Sequence, residues 1–234
     1  MNYLNKFIIC APLVWILLSE TIACGIGTDV SDRIPAGTYH YLEQSEKGIS
    51  HFEWRISYPG NLVEITVESG DYRTFNRCRP DGETIFWSVS RSDGLEVSAE
   101  RENDVLIITQ TSTRGKKTVE YDIDGRPWYQ PLSYSLVEFL ASERQSAEFW
   151  CIRMDTNKPV RLRATKNGTE ELIIEDQLYT SVKVEIKAAG LLSMLWSGSY
   201  WFSADNDLFL QYTSRIGIPG MASKNVTLMS RTAD

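Results

Sequence analysis

From Gly37 to Met229 the chain is a succession of short segments in which large apolar residues alternate with polar ones, separated by Gly, Asn, Asp or Pro. A period of two places the apolar side chains on one face of a pleated strand. In His51–Tyr58 the residues Phe52, Trp54, Ile56 and Tyr58 share such a face; Pro59-Gly60-Asn61 reads as a turn, and Val63, Ile65 and Val67 continue the pattern. The unit recurs through Thr84–Val89, Leu95–Ala99, Val105–Thr109 and Thr118–Ile123. After an interruption it returns as Glu148–Met154, Val160–Thr165, Glu171–Ile174, Ser181–Ile186, Gly198–Phe202, Leu208–Tyr212 and Asn225–Met229. Closely spaced turns leave no room for crossover helices, so the pattern indicates an antiparallel meander and not βαβ units.

The interruption is Pro131–Ala141. Leu132, Leu136, Phe139 and Leu140 fall near one helical face, and Pro131 suits a first turn. An apolar sheet face needs a cover, and this helix can supply it. The expected fold is mainly β: a single curved antiparallel sheet of thirteen or so strands, a half-barrel or open barrel, wrapping or capped by a short helix. An open sheet of that size tends to curl. Residues 36–234 form one domain on this reading, with the helix near 131–141.

Residues 1–23 have the parts of a secretory signal: a short start with Lys6, the apolar run Phe7–Leu18, and small residues ending at Ala23. The run is shorter than the ~20 residues a spanning helix needs. Thr21-Ile22-Ala23-Cys24 resembles a bacterial lipobox, in which the cysteine is lipidated and becomes the mature N-terminus; ordinary cleavage after Ala23 is the alternative. The resemblance implies lipidation at Cys24 and, with Gly25 following, sorting to the outer membrane facing the periplasm. Without lipidation the protein would be soluble in the periplasm. Residues 24–35 then read as a tether. Removal of the signal and lipidation of Cys24 would leave Cys78 and Cys151, which in an oxidising compartment could form a disulfide.

The acidic balance, a formal net charge of −7, argues against a nucleic-acid partner. The 42% hydrophobic content excludes general disorder. No nucleophile elbow, P-loop or zincin motif is present. No cofactor is called for and no catalytic residue is assigned. His40 and His51, with Glu43, Glu46 or Glu53, are weak metal candidates, and Asp205 and Asp207 read better as an acidic turn than as a glycosidase pair.

The last third, through Gly190-Leu191-Leu192, Tyr200-Trp201-Phe202, Asp205-Asn206-Asp207 and Gly217-Ile218-Pro219-Gly220, resembles a family of exported bacterial β-rich proteins of uncharacterised function. That family's fold is similar to the half-barrel of the lipoprotein-localisation carriers, in which a curved sheet wraps a helix and holds lipid chains. The resemblance implies a half-barrel and carries no catalytic residues. Large aromatics line apolar pockets as readily as they fill cores. Trp128, Tyr129, Phe139, Phe149, Trp150, Trp196 and Trp201 are the candidate lining of a cavity closed by the helix. The expected function is an extracytoplasmic lipoprotein binding a lipid or other apolar ligand and reaching the membrane through its lipid anchor. A structural or assembly factor that binds another envelope protein is the alternative. A cell-envelope glycan hydrolase is the weakest reading.

Overall fold

The computed structural model describes residues 33–46, 48–189, 196–216 and 224–232. The signal segment, Cys24 and most of the expected tether lie outside the described residues. The rest of the tether does not behave as one. Ile34 is fully buried, Arg33 forms an ion pair with Asp207, and the Ile34 carbonyl accepts a hydrogen bond from the Tyr58 hydroxyl. The Pro35 carbonyl accepts another from Tyr39, at 2.8 Å.

One antiparallel sheet contains fourteen strands. The first eight, β1 (Gly37–Ser45), β2 (Gly48–Ser57), β3 (Val63–Ser69), β4 (Tyr72–Cys78), β5 (Thr84–Arg91), β6 (Glu96–Glu102), β7 (Val105–Ser112) and β8 (Gly115–Asp122), form a meander. The remaining six are β9 (Ser146–Arg153), β10 (Lys158–Ile174), β11 (Gln177–Ala188), β12 (Trp196–Ser203), β13 (Phe209–Ile216) and β14 (Asn225–Thr232), and they form a second meander. β1 and β14 pair antiparallel, Thr38 opposite Thr232, and this seam joins the two meanders. The sequence shows Val160–Thr165 and Glu171–Ile174 as two segments; they are one strand, β10. The register against β11 shifts between Lys166 and Thr169, and Gly168 takes φ +87 there, a left-handed conformation that glycine adopts without a steric penalty.

The expected alternation sets the core. Trp54 and Ile56 of β2, Val63 and Ile65 of β3, and Val184 and Ile186 of β11 are buried, with Phe52, Tyr58, Val67 and Val182 packed around them. The helical segment is two short pieces, α1 (Leu132–Ser135) and α2 (Val137–Ala141), broken at Leu136. Leu136 and Phe139 are fully buried, and Leu132 and Leu140 pack against the same core. The segment lies across one end of the rolled sheet. The Tyr134 hydroxyl donates to the Pro80 carbonyl at 3.3 Å, and Lys166 Nζ donates to the Leu140 carbonyl at 3.0 Å.

β8 and β9 stand at opposite ends of the strand order, yet their neighbourhoods meet. A second buried cluster unites Trp87, Val97, Leu106 and Ile108 of β5–β7 with Ile152 of β9 and Trp128. Along β9 the residues Ala147, Phe149 and Cys151 face the main core, whereas Trp150 and Ile152 face this second cluster. The sheet is therefore rolled past a full turn, with β9 held between the main core and the inner face of β5–β8. The edge of β9 is covered by residues 127–130. Trp150 N–H donates to the Pro127 carbonyl at 2.9 Å, and Tyr129 N–H donates to the Trp150 carbonyl at 2.8 Å. The Gln130 side chain then acts as a substitute peptide: its Oε1 accepts from Ile152 N–H at 2.8 Å and its Nε2 donates to the Ile152 carbonyl at 3.0 Å. An uncovered edge would offer those groups to other chains.

Candidate binding cavity

Consecutive antiparallel strands turn at alternate ends of a sheet. Here the β1–β2, β3–β4, β9–β10 and β13–β14 connections share the end opposite the helical segment. A cavity of about 840 Å³ opens at that end, within the ~300–1,000 Å³ usual for small-ligand sites. Its wall is mainly apolar: Tyr41, Phe52 and Trp54 from β1 and β2, Val160 and Leu162 from β10, and Tyr200, Phe209 and Val226 from the strands beside the seam. Leu132 and Ser133 of α1 reach it from the closed end, and Gln130 lies beside them.

The wall is held by aromatic contacts and few hydrogen bonds. Tyr41 stacks on Phe52 with ring centroids 5.3 Å apart and meets Phe209 at 5.3 Å; Tyr200 meets Tyr212 at 4.6 Å. The Tyr41 hydroxyl donates to the Phe209 carbonyl at 2.9 Å, which ties β1 to β13 across β14. Burial raises the pKa of Tyr41 and Tyr200 well above the ordinary tyrosine value, so both stay protonated. Polar groups gather at the open end. Lys224 and Glu43 are ion-paired at 2.6 Å, and Arg153 pairs with Asp155 at 2.5 Å. Tyr72 and Tyr212 line the same region, and burial raises their pKa, with Glu43 adding to the shift of each.

Of the seven aromatics named from the sequence, the six whose side chains are described lie elsewhere. Tyr129, Phe139 and Phe149 are buried in the main core, with Tyr129 and Phe149 in ring contact at 5.2 Å. Trp128 and Trp150 belong to the second cluster, where their indole N–H groups donate to Gln130 Oε1 at 3.1 Å and to Asp124 at 2.9 Å. Trp201 lies in a separate polar hollow with Asn167, Glu185 and Thr213, beneath Lys183 at 4.7 Å, and its indole donates to Glu170. The Trp196 side chain lies outside the described residues. None of the other six lines the cavity. Of the aromatics that do, Tyr41, Phe52, Trp54, Tyr200, Phe209 and Tyr212 sit on strands flanking the β1–β14 seam, and Tyr72 comes from β4. Their alternation was visible, but only the seam brings them to one wall.

The Cys78–Cys151 bridge expected from the cysteine count is absent: both thiols are free. Cys78 Sγ lies 3.8 Å from Thr84 Oγ1, and Cys151 Sγ lies 3.7 Å from Gln130 Oε1. Gln130 N–H also binds Thr84 Oγ1, at 3.0 Å, so the 128–130 segment stands between the two sulfurs. Burial pushes each thiol up to about 12. His40 Nδ1 lies 3.8 Å from a Glu53 oxygen, and His51 pairs across the hairpin with Leu42. Asp205 and Asp207 occupy the β12–β13 turn, where Asp207 holds Arg33. Among the described residues no helix is long and apolar enough to cross a membrane.

No family model and no curated protein sequence matches the chain. Its structure is similar to that of the β-barrel-like protein of domain of unknown function DUF1849 from Brucella abortus. The TM-score is 0.58 at 9% identity, over 84% of this chain and 96% of that one. The hypothetical lipoprotein YmcC of Escherichia coli K12 is aligned over 84% of this chain and 88% of its own, with a TM-score of 0.36 and 9% identity. The first likeness shows a shared β fold and nothing about activity.

Proposed function

We propose that this protein is an exported ligand-binding protein that holds a lipid or other apolar molecule in the cavity between the helical segment and the open end of the rolled sheet. The observation that carries the reading is the cavity: about 840 Å³, walled mainly by aromatic and aliphatic side chains and open at one end. Each methylene that such a wall takes from water contributes ~0.8 kcal/mol, so a medium-length acyl chain would be held firmly. The export signal and the lipobox-like Thr21–Cys24 support an extracytoplasmic setting in which such ligands occur.

Native mass spectrometry of the protein purified from its own membrane tests this. Added mass that leaves only on denaturation is the expected result. A clean protein mass, together with no quenching of a cavity-directed fluorescent fatty probe, would remove the reading. A role as a partner-binding envelope protein draws on a different observation: Ile173 and Leu178, opposite each other at the tip of the β10–β11 hairpin, are 76% and 59% exposed.

A further inference from the structure

Among the described residues, the charged groups of the cavity are confined to its open end and are matched in sign. Lys224 with Glu43 and Arg153 with Asp155 make two cations and two carboxylates, so among the described residues the formal charge of the lining cancels. Lys224 and Arg153 are partly exposed, with 39% and 52% of their side chains accessible, so either pair can open toward an incoming group. Tyr72 and Tyr212 stand in the same region.

This arrangement discriminates between head groups. A lone carboxylate seeking Lys224 would have to displace Glu43, leaving a half-buried anion without its cation; a lone ammonium seeking Glu43 would strand Lys224 in the same way. An uncharged head would leave both pairs closed and gain only hydrogen bonds. A head carrying one charge of each sign can exchange partners with the Lys224–Glu43 pair and leave no charge unmatched. Ester or amide oxygens near the head would find the tyrosine hydroxyls as donors.

Resting on the ligand-binding reading above, we infer that the ligand is a single-chain amphiphile with a zwitterionic head. Its tail lies against Trp54, Phe209 and Leu132, its phosphate at Lys224 and its ammonium at Glu43. At ~30 Å³ for each water-sized group, a cavity of about 840 Å³ takes one long chain and part of a head.

The test titrates the purified protein, below the micelle concentration of each probe, with four amphiphiles sharing a dodecyl tail. They are a lysophosphatidylcholine, the fatty carboxylate, the alkylammonium and the monoacylglycerol, followed by calorimetry. The lysophosphatidylcholine should bind roughly tenfold more tightly than each of the others. Glu43→Gln should shift the ranking toward the carboxylate, and Lys224→Met toward the alkylammonium. Equal binding of all four, or rankings that neither variant moves, would overturn the head-group assignment while leaving the cavity occupied. Binding of none would overturn the assignment and the ligand-binding reading together.

Discussion

Replacing Gln130 with leucine should lower stability by about 3 kcal/mol, although the two side chains have similar volume. In the folded protein the Gln130 amide serves three buried groups. Its oxygen accepts from Ile152 N–H at 2.8 Å and from the Trp128 indole at 3.1 Å, and its nitrogen donates to the Ile152 carbonyl at 3.0 Å. Trp128 is 0% exposed and Ile152 1%. Each of the three groups left without a partner costs about 1–3 kcal/mol. The lower end applies because Gln130 borders the cavity, from which water can reach part of the gap. The total is then about 3 kcal/mol, before any loosening of β9 is counted. Urea unfolding followed by tryptophan fluorescence gives the measurement. A drop below about 1 kcal/mol with an unchanged denaturant slope would refute the claim that this side chain seals the strand edge.

Three further outcomes follow from other parts of the structure. A methyl group at Gly82, where φ is +88, would lie 2.4 Å from the Ser135 carbonyl oxygen; Gly82→Ala should therefore cost at least about 2 kcal/mol, and a melting temperature matching the parent would contradict it. Cys78 should not react promptly with a thiol reagent at pH 8, because burial holds its thiol near 12, whereas it should react after denaturation; a native mass two hydrogens short would show that it is bonded to Cys151. The hydrogen bond from Arg163, with the charges of Arg163, Arg126 and Arg161, holds the Glu148 carboxyl below its ordinary 4.5. A depressed acid contributes stability that is complete above the unfolded value and is lost as pH falls through the folded one. Glu148→Gln should thus flatten the stability profile below pH 4.5 and lower the plateau above it, and an unaltered acid limb would count against the assignment.

The strands were legible because each carries its own evidence: alternation along Phe52–Tyr58 or Val182–Ile186, and turn residues such as Pro59-Gly60-Asn61. The helical segment was legible from the spacing of Leu132, Leu136 and Phe139, although the break at Leu136 was not. What no local pattern carries is which distant strands meet. Trp128 and Trp150 look like any aromatic wall until β9 is seen rolled beneath β5–β8, where they fill a second core. Tyr41 and Phe209 are separated by most of the chain and touch only because β1 and β14 pair. The cavity is a product of that pairing, so its lining could not be chosen from a list of aromatic residues.

The pairing of β1 with β14 also fixes an order of events. As the chain emerges, β1 to β8 can zip together through short hairpins, and β9 to β13 can do the same, but β1 lacks its second neighbour until β14 arrives. During that interval β1 and β13 are two open edges that bear the aromatic groups of the future cavity, and such edges pair readily with other chains. A protein built this way gains from being kept unfolded until its last strand has been delivered. Because Thr38 and Thr232 lie side by side in the finished sheet, the same fold should accept a new linkage between them and a new opening in the loop after β8. A chain re-threaded in this way would make the seam a hairpin and form it first.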